Sequence, residues 1–133
     1  DGFPPREDFS PEEMRRMIYS HKVRMEQVPV FGAFDCPDAG QSMPRRGRST
    51  TALQALNLFN SSFAMDRASR LAERAIRECP DGLENQIHRV FSLANGRIAS
   101  AEELHDCVEV ANKHGLATVC RAVLNSSEFL FLP

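Results

Sequence analysis

Residues 61–79, SSFAMDRASRLAERAIREC, decide the fold class of this chain. Small or apolar side chains recur in this stretch at steps of three and four residues: Ala68, Leu71, Ala72, Ala75, Ile76 and Cys79. Charged side chains fill the positions between them: Arg67, Arg70, Glu73, Arg74 and Arg77. One apolar face and one charged face with a 3.6-residue period are typical of an amphipathic α-helix. We expect this helix to begin at Ser61 or Ser62 and to end at Pro80-Asp81-Gly82.

Helical patterns continue on both sides of this stretch. The preceding helix, which Thr50 or Thr51 can cap, has as its apolar residues Leu53, Leu56, Leu58 and Phe59. The following helix has as its apolar residues Leu83, Ile87, Val90, Phe91 and Ala94. Asn95-Gly96 suits the left-handed end of that helix.

Two more helices are predicted near the end of the sequence. Ser100-Ala101-Glu102-Glu103 has the pattern of a capping box, and the helix that it starts should end at His114-Gly115. The last predicted helix has as its inward residues Leu116, Val119, Cys120, Val123 and Leu124. Short polar links between amphipathic helices favour antiparallel neighbours, so the prediction is an all-α fold, a small antiparallel or orthogonal helical bundle. The apolar tail Phe129–Leu132 is expected to dock onto this bundle.

The first part of the chain is less regular. Residues 1–9 suggest an extended arm, and Ser10-Pro11-Glu12-Glu13 predicts the start of a first helix. Prolines and glycines interrupt residues 27–49, so an irregular segment packed on the bundle is expected there. We therefore predict an arm and first helix over 1–29 and a helical module over 30–133, together forming one compact domain. The sequence does not begin with methionine, and we expect a fragment of a longer protein.

Composition excludes several classes of protein. A chain of 133 residues that is 42% hydrophobic and 26% charged fits one ordinary globular domain. Its net charge of −2 lacks the basic bias of nucleic-acid binding, and Arg45-Arg46-Gly47-Arg48 is too short a basic run to change that. No run of about 18 apolar residues is present, which excludes a membrane-spanning helix.

One polar cluster stands out as a candidate site, because seven groups able to bind one another or a ligand fall within 26 residues of sequence. Its members are Asp35, Asp38, Arg45, Arg46, Arg48, Gln54 and Asn60. In the structural interpretation, the carboxylates pair with the arginines and Gln54 bonds backbone groups of the loop. In the functional interpretation, the arginines grip a carboxylate or sulfate of an anionic ligand or carbohydrate. Both remain open at this point, with no catalytic residue and no metal ligand assigned.

Cysteines and histidines give no cofactor pattern. Cys36, Cys79, Cys107 and Cys120 are widely spaced and form no C-x-x-C pair, which argues against zinc, a redox motif or covalent haem attachment. We expect Cys107 and Cys120 to be buried free thiols on apolar helix faces; the sequence does not fix the disulfide state of any of the four. The histidines are scattered and lack metal-ligand spacing. We expect no cofactor in this chain and no enzymatic activity within it.

Several motifs carry a resemblance to a known family. They are FDCPD at 34–38, RRGRST at 45–50, TALQALNLFN at 51–60, LANGRIASAEEL at 93–104 and LNSSEFL at 124–130. From about Val30 to its end, the chain resembles the C-terminal domain of large planctomycete proteins that carry cytochrome c-like domains upstream, a domain of unknown function. It departs from the family at Ala52, where proline is common, and at Ser61-Ser62, where Asp-Pro is common.

The resemblance implies a setting rather than a reaction. It implies an extracytoplasmic protein, periplasmic or secreted, with haem in upstream domains of the parent chain. The expected function is a non-catalytic structural or interaction module of a larger exported, cytochrome-associated protein. Its expected partners are the other domains of that parent chain. The alternative is a carbohydrate- or anion-binding pocket, part of an enzyme completed by upstream domains, with polysaccharide as the ligand.

Overall fold

The computed structural model describes residues 52–131, and within them all regular structure is helical. The helices are α1 (Ala52–Asn60), α2 (Ser62–Glu78), α3 (Leu83–Asn95), α4 (Ala101–His114), α5 (Leu116–Leu124) and α6 (Ser127–Leu130). The predicted all-α helical bundle is confirmed for this part of the chain. The predicted arm and first helix, the irregular segment and the boundary between residues 29 and 30 lie outside the described residues.

The chain divides into two compact units, residues 1–63 and 64–133. Helix α1 belongs to the first unit. Its Leu56 and Phe59 side chains are exposed, and its Leu58 side chain is half-buried. The second unit contains almost all of α2 and the whole of α3 to α6, and it holds the core that positions the groups discussed below.

One apolar cluster forms the core of the second unit. Helix α2 contributes a stripe of alanines, Ala68, Ala72 and Ala75, whereas α3 contributes the larger Ile87, Val90 and Phe91. The rest of the cluster comes from the α3–α4 loop, α4 and α5: Ala99, Ala111, Leu116, Val119, Cys120 and Val123. Burial of apolar surface is the dominant favourable contribution to folding, so these side chains hold the helices together.

Helices α4 and α5 are joined by a single residue, Gly115. The two helices pack against each other, and α3 packs against both of them. The backbone N–H of Gly115 donates to the carbonyl of Ala111 at 2.8 Å, and its φ of 84° favours glycine at this turn. The predicted helix end at His114-Gly115 is therefore confirmed.

Two other predicted helix ends are also confirmed. Gly96 follows α3 with φ 74° and ψ 9°, the left-handed conformation expected of Asn95-Gly96. Ser100 accepts a hydrogen bond from the Glu103 backbone N–H at 3.2 Å, and the Glu103 carboxylate accepts one from the Ser100 N–H at 2.7 Å. This reciprocal pair is the capping box predicted at the start of α4.

Two details differ from the sequence-based expectation. Ile76, assigned to the inward face of α2, is 49% exposed. It lies one residue beyond the alanine stripe, and a 100° turn per residue moves it to the edge of that face. The chain also continues beyond α5 into α6, which packs on α3 and α5. The expected docking of the tail holds for Leu130, which is half-buried, whereas Phe129 and Phe131 remain 40% and 63% exposed.

Candidate functional site

The polar cluster predicted from the sequence is only partly within the described residues. Gln54 is half-buried and Asn60 exposed, and both lie on α1. Each takes part in at least one interaction, so neither is a free group. The other five members, which lie outside the described residues, are Asp35, Asp38, Arg45, Arg46 and Arg48. An anion pocket there stays a prediction, which a thermal-shift screen with acidic sugars and sulfated glycans tests.

A different polar group is the best-defined one in the described part of the chain. We call it the Arg97 cluster: Arg97 with the carboxylates of Glu103 and Glu128. Its position follows from local sequence. The left-handed turn at Gly96 redirects the chain immediately before Arg97, the capping box holds Glu103 in the first turn of α4, and Ser126 caps α6 beside Glu128.

All N–H donors of the Arg97 guanidinium are used. Nη1 and Nη2 donate to the two carboxylate oxygens of Glu103 at 2.8 and 2.7 Å. Nε and Nη2 donate to the two oxygens of Glu128 at 2.7 and 2.6 Å. Nη1 also donates to the carbonyl of Ile98 at 3.0 Å. A guanidinium has five N–H donors in a fixed plane, so two bidentate carboxylate contacts and one carbonyl saturate it.

The electrostatics of the cluster follow from this geometry. Hydrogen bonds from Arg97, and then the bond from the Ser100 N–H, lower the pKa of Glu103 to about 2. Arg97 also lowers the pKa of Glu128. The two carboxylates in turn raise the pKa of Arg97, Glu103 more than Glu128. All three groups are therefore charged at neutral pH, and the cluster carries a net charge of one negative unit.

The Arg97 cluster has a structural role, because its ion pairs connect separate segments of the chain. It joins the loop after α3 to the start of α4, six residues on, and to α6, 31 residues on. The guanidinium carbon also lies 5.4 Å from the ring centroid of Phe91, within the range of a cation–π contact. Because every guanidinium donor has an acceptor within the protein, Arg97 has none left for an anionic ligand.

Sequence reasoning missed this cluster, although one signal was present. Glu103 was assigned to a capping box, a role that leaves its second oxygen available for another donor. Arg97 follows a left-handed helix end and precedes that box by three residues. Glu128, however, is 31 residues away from Arg97 in sequence, and only the packing of α6 brings the two together.

A second ion-pair group joins α2 to α3. Glu78 accepts hydrogen bonds from the Nε atoms of Arg74 at 2.8 Å and Arg89 at 2.7 Å. Arg74 and then Arg89 lower the pKa of Glu78. Nε2 of Gln86 donates to the carbonyl of Cys79 at 3.1 Å, which satisfies an acceptor just beyond the end of α2. These hydrogen bonds connect the end of α2 to α3, as those of Arg97 connect the segments around it.

Exposed apolar side chains adjoin the Arg97 cluster in sequence. Ile98, the residue after Arg97, is 69% exposed. Phe129 lies in α6 next to Glu128, and Phe131 follows the end of that helix; both are exposed. We call these three residues the apolar end. The ion pair between Arg97 and Glu128 links the loop that carries Ile98 to the segment that carries the two phenylalanines.

Metal-ligand residues do not gather in residues 52–131, where no group of three or more histidine, cysteine, aspartate or glutamate side chains could hold a metal ion. His105 and His114, both on α4, are exposed. Within the same range, no helix is long and apolar enough to cross a bilayer.

Comparison with known proteins assigns a family and no activity. No curated protein and no solved structure matches the chain. Residues 4–111 match the model of the family described as PSD1, protein of unknown function (DUF1553). The match includes Arg97 and Glu103, whereas Glu128 and the LNSSEFL motif lie beyond it. Since it spans more than half of the sequence, the chain belongs to this family of unknown function, as the resemblance to a domain of unknown function predicted.

Proposed function

We propose that this chain is a non-catalytic structural or interaction module of a larger exported protein, and that it packs against cytochrome c-like domains of the same parent chain. Its task in this proposal is to present a fixed apolar surface to those domains. Haem would belong to the neighbouring domains, because the C-x-x-C-H attachment motif does not occur in this sequence.

The observation that carries the proposal is the combination of the Arg97 cluster with the apolar end. The guanidinium of Arg97 is consumed by internal bonds, so the cluster supports the fold. The same bonds limit the movement of the segments that bear Ile98, Phe129 and Phe131. An exposed apolar group whose backbone is already ordered loses little conformational entropy on docking, which favours its use as a contact surface.

The setting rests on the resemblance to the large planctomycete proteins. Export, the planctomycete type of parent protein and the nearby haem domains are all taken from it. Membership of a family of unknown function is compatible with this setting and adds no reaction to it.

Two isoleucines provide a matched test of the contact surface. Ile98 at the apolar end is 69% exposed, and Ile76 on α2 is 49% exposed. In the full-length parent protein, Ile98→Ser should speed the proteolytic release of this module, since it weakens docking, while Ile76→Ser should leave the rate unchanged. Circular dichroism checks that both variants keep their helix content. Equal release rates for wild type and Ile98→Ser would refute docking through the apolar end.

The setting has its own test. Cell fractionation of the native organism should place the full-length protein outside the cytoplasm, and the absorption spectrum of that protein should contain the bands of c-type haem. A cytoplasmic, colourless parent protein would refute the cytochrome-associated setting while leaving the docking experiment valid.

A further inference from the structure

Two thiols belong to the core region of the second unit and lie on two helices that contact each other. Cys120 on α5 is fully buried in the apolar cluster, and Cys107 on α4 is half-buried and packs against the same cluster. Both are free thiols. Their helices, α4 and α5, follow each other through Gly115 and pack against each other.

The two cysteines lie at comparable sequence distances from the link between their helices, Gly115. Cys107 lies eight residues before Gly115 and Cys120 five residues after it. At 1.5 Å per residue, these positions are about 12 Å and about 7.5 Å from the turn, an offset of less than one helical turn. Helices about 9 Å apart bring inward-facing Cα atoms to about 4–5 Å laterally. For an antiparallel helix pair, this axial offset and lateral spacing correspond to a Cα separation of about 6 Å, within the range that a disulfide requires.

An electrostatic interaction between the thiols agrees with this placement. Burial, partly offset by a backbone hydrogen bond and aided by a smaller contribution from Cys107, raises the pKa of the Cys120 thiol to about 12. Burial, followed by the charges of Glu103 and Asp106, raises the pKa of Cys107. Neither group therefore resembles an activated catalytic cysteine, which has a lowered pKa. Because a raised pKa leaves little reactive thiolate at neutral pH, these thiols would form a disulfide slowly.

We propose that Cys107 and Cys120 are an oxidisable pair that closes a disulfide between α4 and α5. The oxidant is a small disulfide or a protein of the thiol–disulfide exchange class. The more accessible Cys107 loses its proton and attacks one oxidant sulfur, forming a mixed disulfide and releasing one thiolate. Cys120 then loses its proton and attacks the Cys107 sulfur, releasing the second thiolate. The protein thus gives up two electrons and two protons, and the oxidant becomes two thiols.

The Cys107–Cys120 pair includes one residue outside the family match, and its oxidation is independent of the proposed function. Cys107 lies within residues 4–111 and Cys120 outside them, so the bridge would covalently join the matched region to α5. The chemistry does not depend on export, although an extracytoplasmic compartment would supply the oxidising conditions in which such bonds persist.

Trypsin separates all four cysteines, which makes the test direct. Cleavage after lysine and arginine places Cys36 in peptide 25–45, Cys79 in 78–89, Cys107 in 98–113 and Cys120 in 114–121. The folded full chain is incubated with excess oxidised glutathione, its remaining thiols are alkylated, and the digest is analysed by mass spectrometry. The expected result is peptide 98–113 linked to peptide 114–121, with the link removed by a reducing agent and its formation faster at higher pH.

Cysteine variants test whether the disulfide joins Cys107 to Cys120 and to no other cysteine. Cys79→Ala should preserve the 98–113 to 114–121 link, and Cys107→Ala should abolish it and leave Cys120 alkylated. Recovery of both Cys107 and Cys120 as alkylated or glutathionylated peptides from the folded wild-type chain would overturn the proposal. A link from either of them to peptide 25–45 or 78–89 instead would also overturn it. Because the deciding measurement uses the wild type, it does not depend on any variant folding.

Discussion

Truncation of Ile87 tests the placement of α3 in the core. Ile87 has no exposed surface, and the other large side chains fully buried in the same cluster are Val90, Val119 and Cys120. Ile87→Ala removes three carbon atoms, each worth about 0.8 kcal/mol of burial, or about 2.4 kcal/mol together. The cavity that remains adds to this cost, so the expected loss is about 3–4 kcal/mol of the free energy of unfolding. Ile87→Val should cost about 1 kcal/mol.

Ile76 supplies the matched control, since it is the same residue type in a helix but is 49% exposed. Ile76→Ala is expected to change the free energy of unfolding by about 0.5 kcal/mol or less. Alanine has the higher helix propensity at both positions, and that gain therefore cancels in the comparison. The difference between the two alanine variants reports burial alone.

Urea unfolding followed by far-ultraviolet circular dichroism measures both costs. The chain has no tryptophan, so helix content is a better signal than intrinsic fluorescence. The slope of free energy against urea should be the same for wild type and variants if each compares the same folded and unfolded states. Losses for Ile87→Ala and Ile76→Ala that agree within about 0.5 kcal/mol would refute the assignment of the inward face of α3.

Three further predictions concern helix ends. The pKa of Glu103 is lowered from 4.5 to about 2, so the carboxylate contributes stability above pH 4.5 and this contribution is lost as the pH falls toward 2. Over this pH range, the urea midpoint should therefore fall less steeply in Arg97→Met than in wild type. Ser100→Ala removes the α4 cap and should cost about 1 kcal/mol by the same unfolding assay, whereas Ser69→Ala, at an exposed position within α2, should cost little. Gly96→Ala places a side chain at φ 74° and should cost about 1–2 kcal/mol, and Gly96→Asn should cost less because asparagine tolerates that conformation.

The helices could be predicted because their signals are local. Periodicity placed the inward residues of α3 and α5, and Gly96 and the Ser100 capping box marked helix ends through chemistry contained in a few residues. The Arg97 cluster could not be predicted in the same way. The contact from Arg97 to Glu128 depends on where α6 packs, and no periodic pattern encodes a partner 31 residues distant.

The candidate site could not be predicted fully from the sequence either. The proposed ligand pocket was inferred from residues close together in sequence, and only Gln54 and Asn60 of its members lie in the described part of the chain. The position of Ile76 shows a smaller limit, since an apolar residue at the margin of a helical stripe fits either face by spacing alone. Neighbouring helices, rather than spacing, decide which side it takes.

The alanine stripe of α2 has a consequence for local motion. Alanine has no side-chain rotamers to lose on burial, but each buried methyl group also contributes little apolar area. Burial of the three alanines therefore stabilises the packing of α2 less than burial of larger side chains stabilises that of α3. The residues compared are Ala68, Ala72 and Ala75 in α2 and Ile87, Val90 and Phe91 in α3. Its backbone amides should exchange hydrogen for deuterium through partial opening well before those of α3, which makes α2 the segment that detaches first while the remaining bundle stays closed.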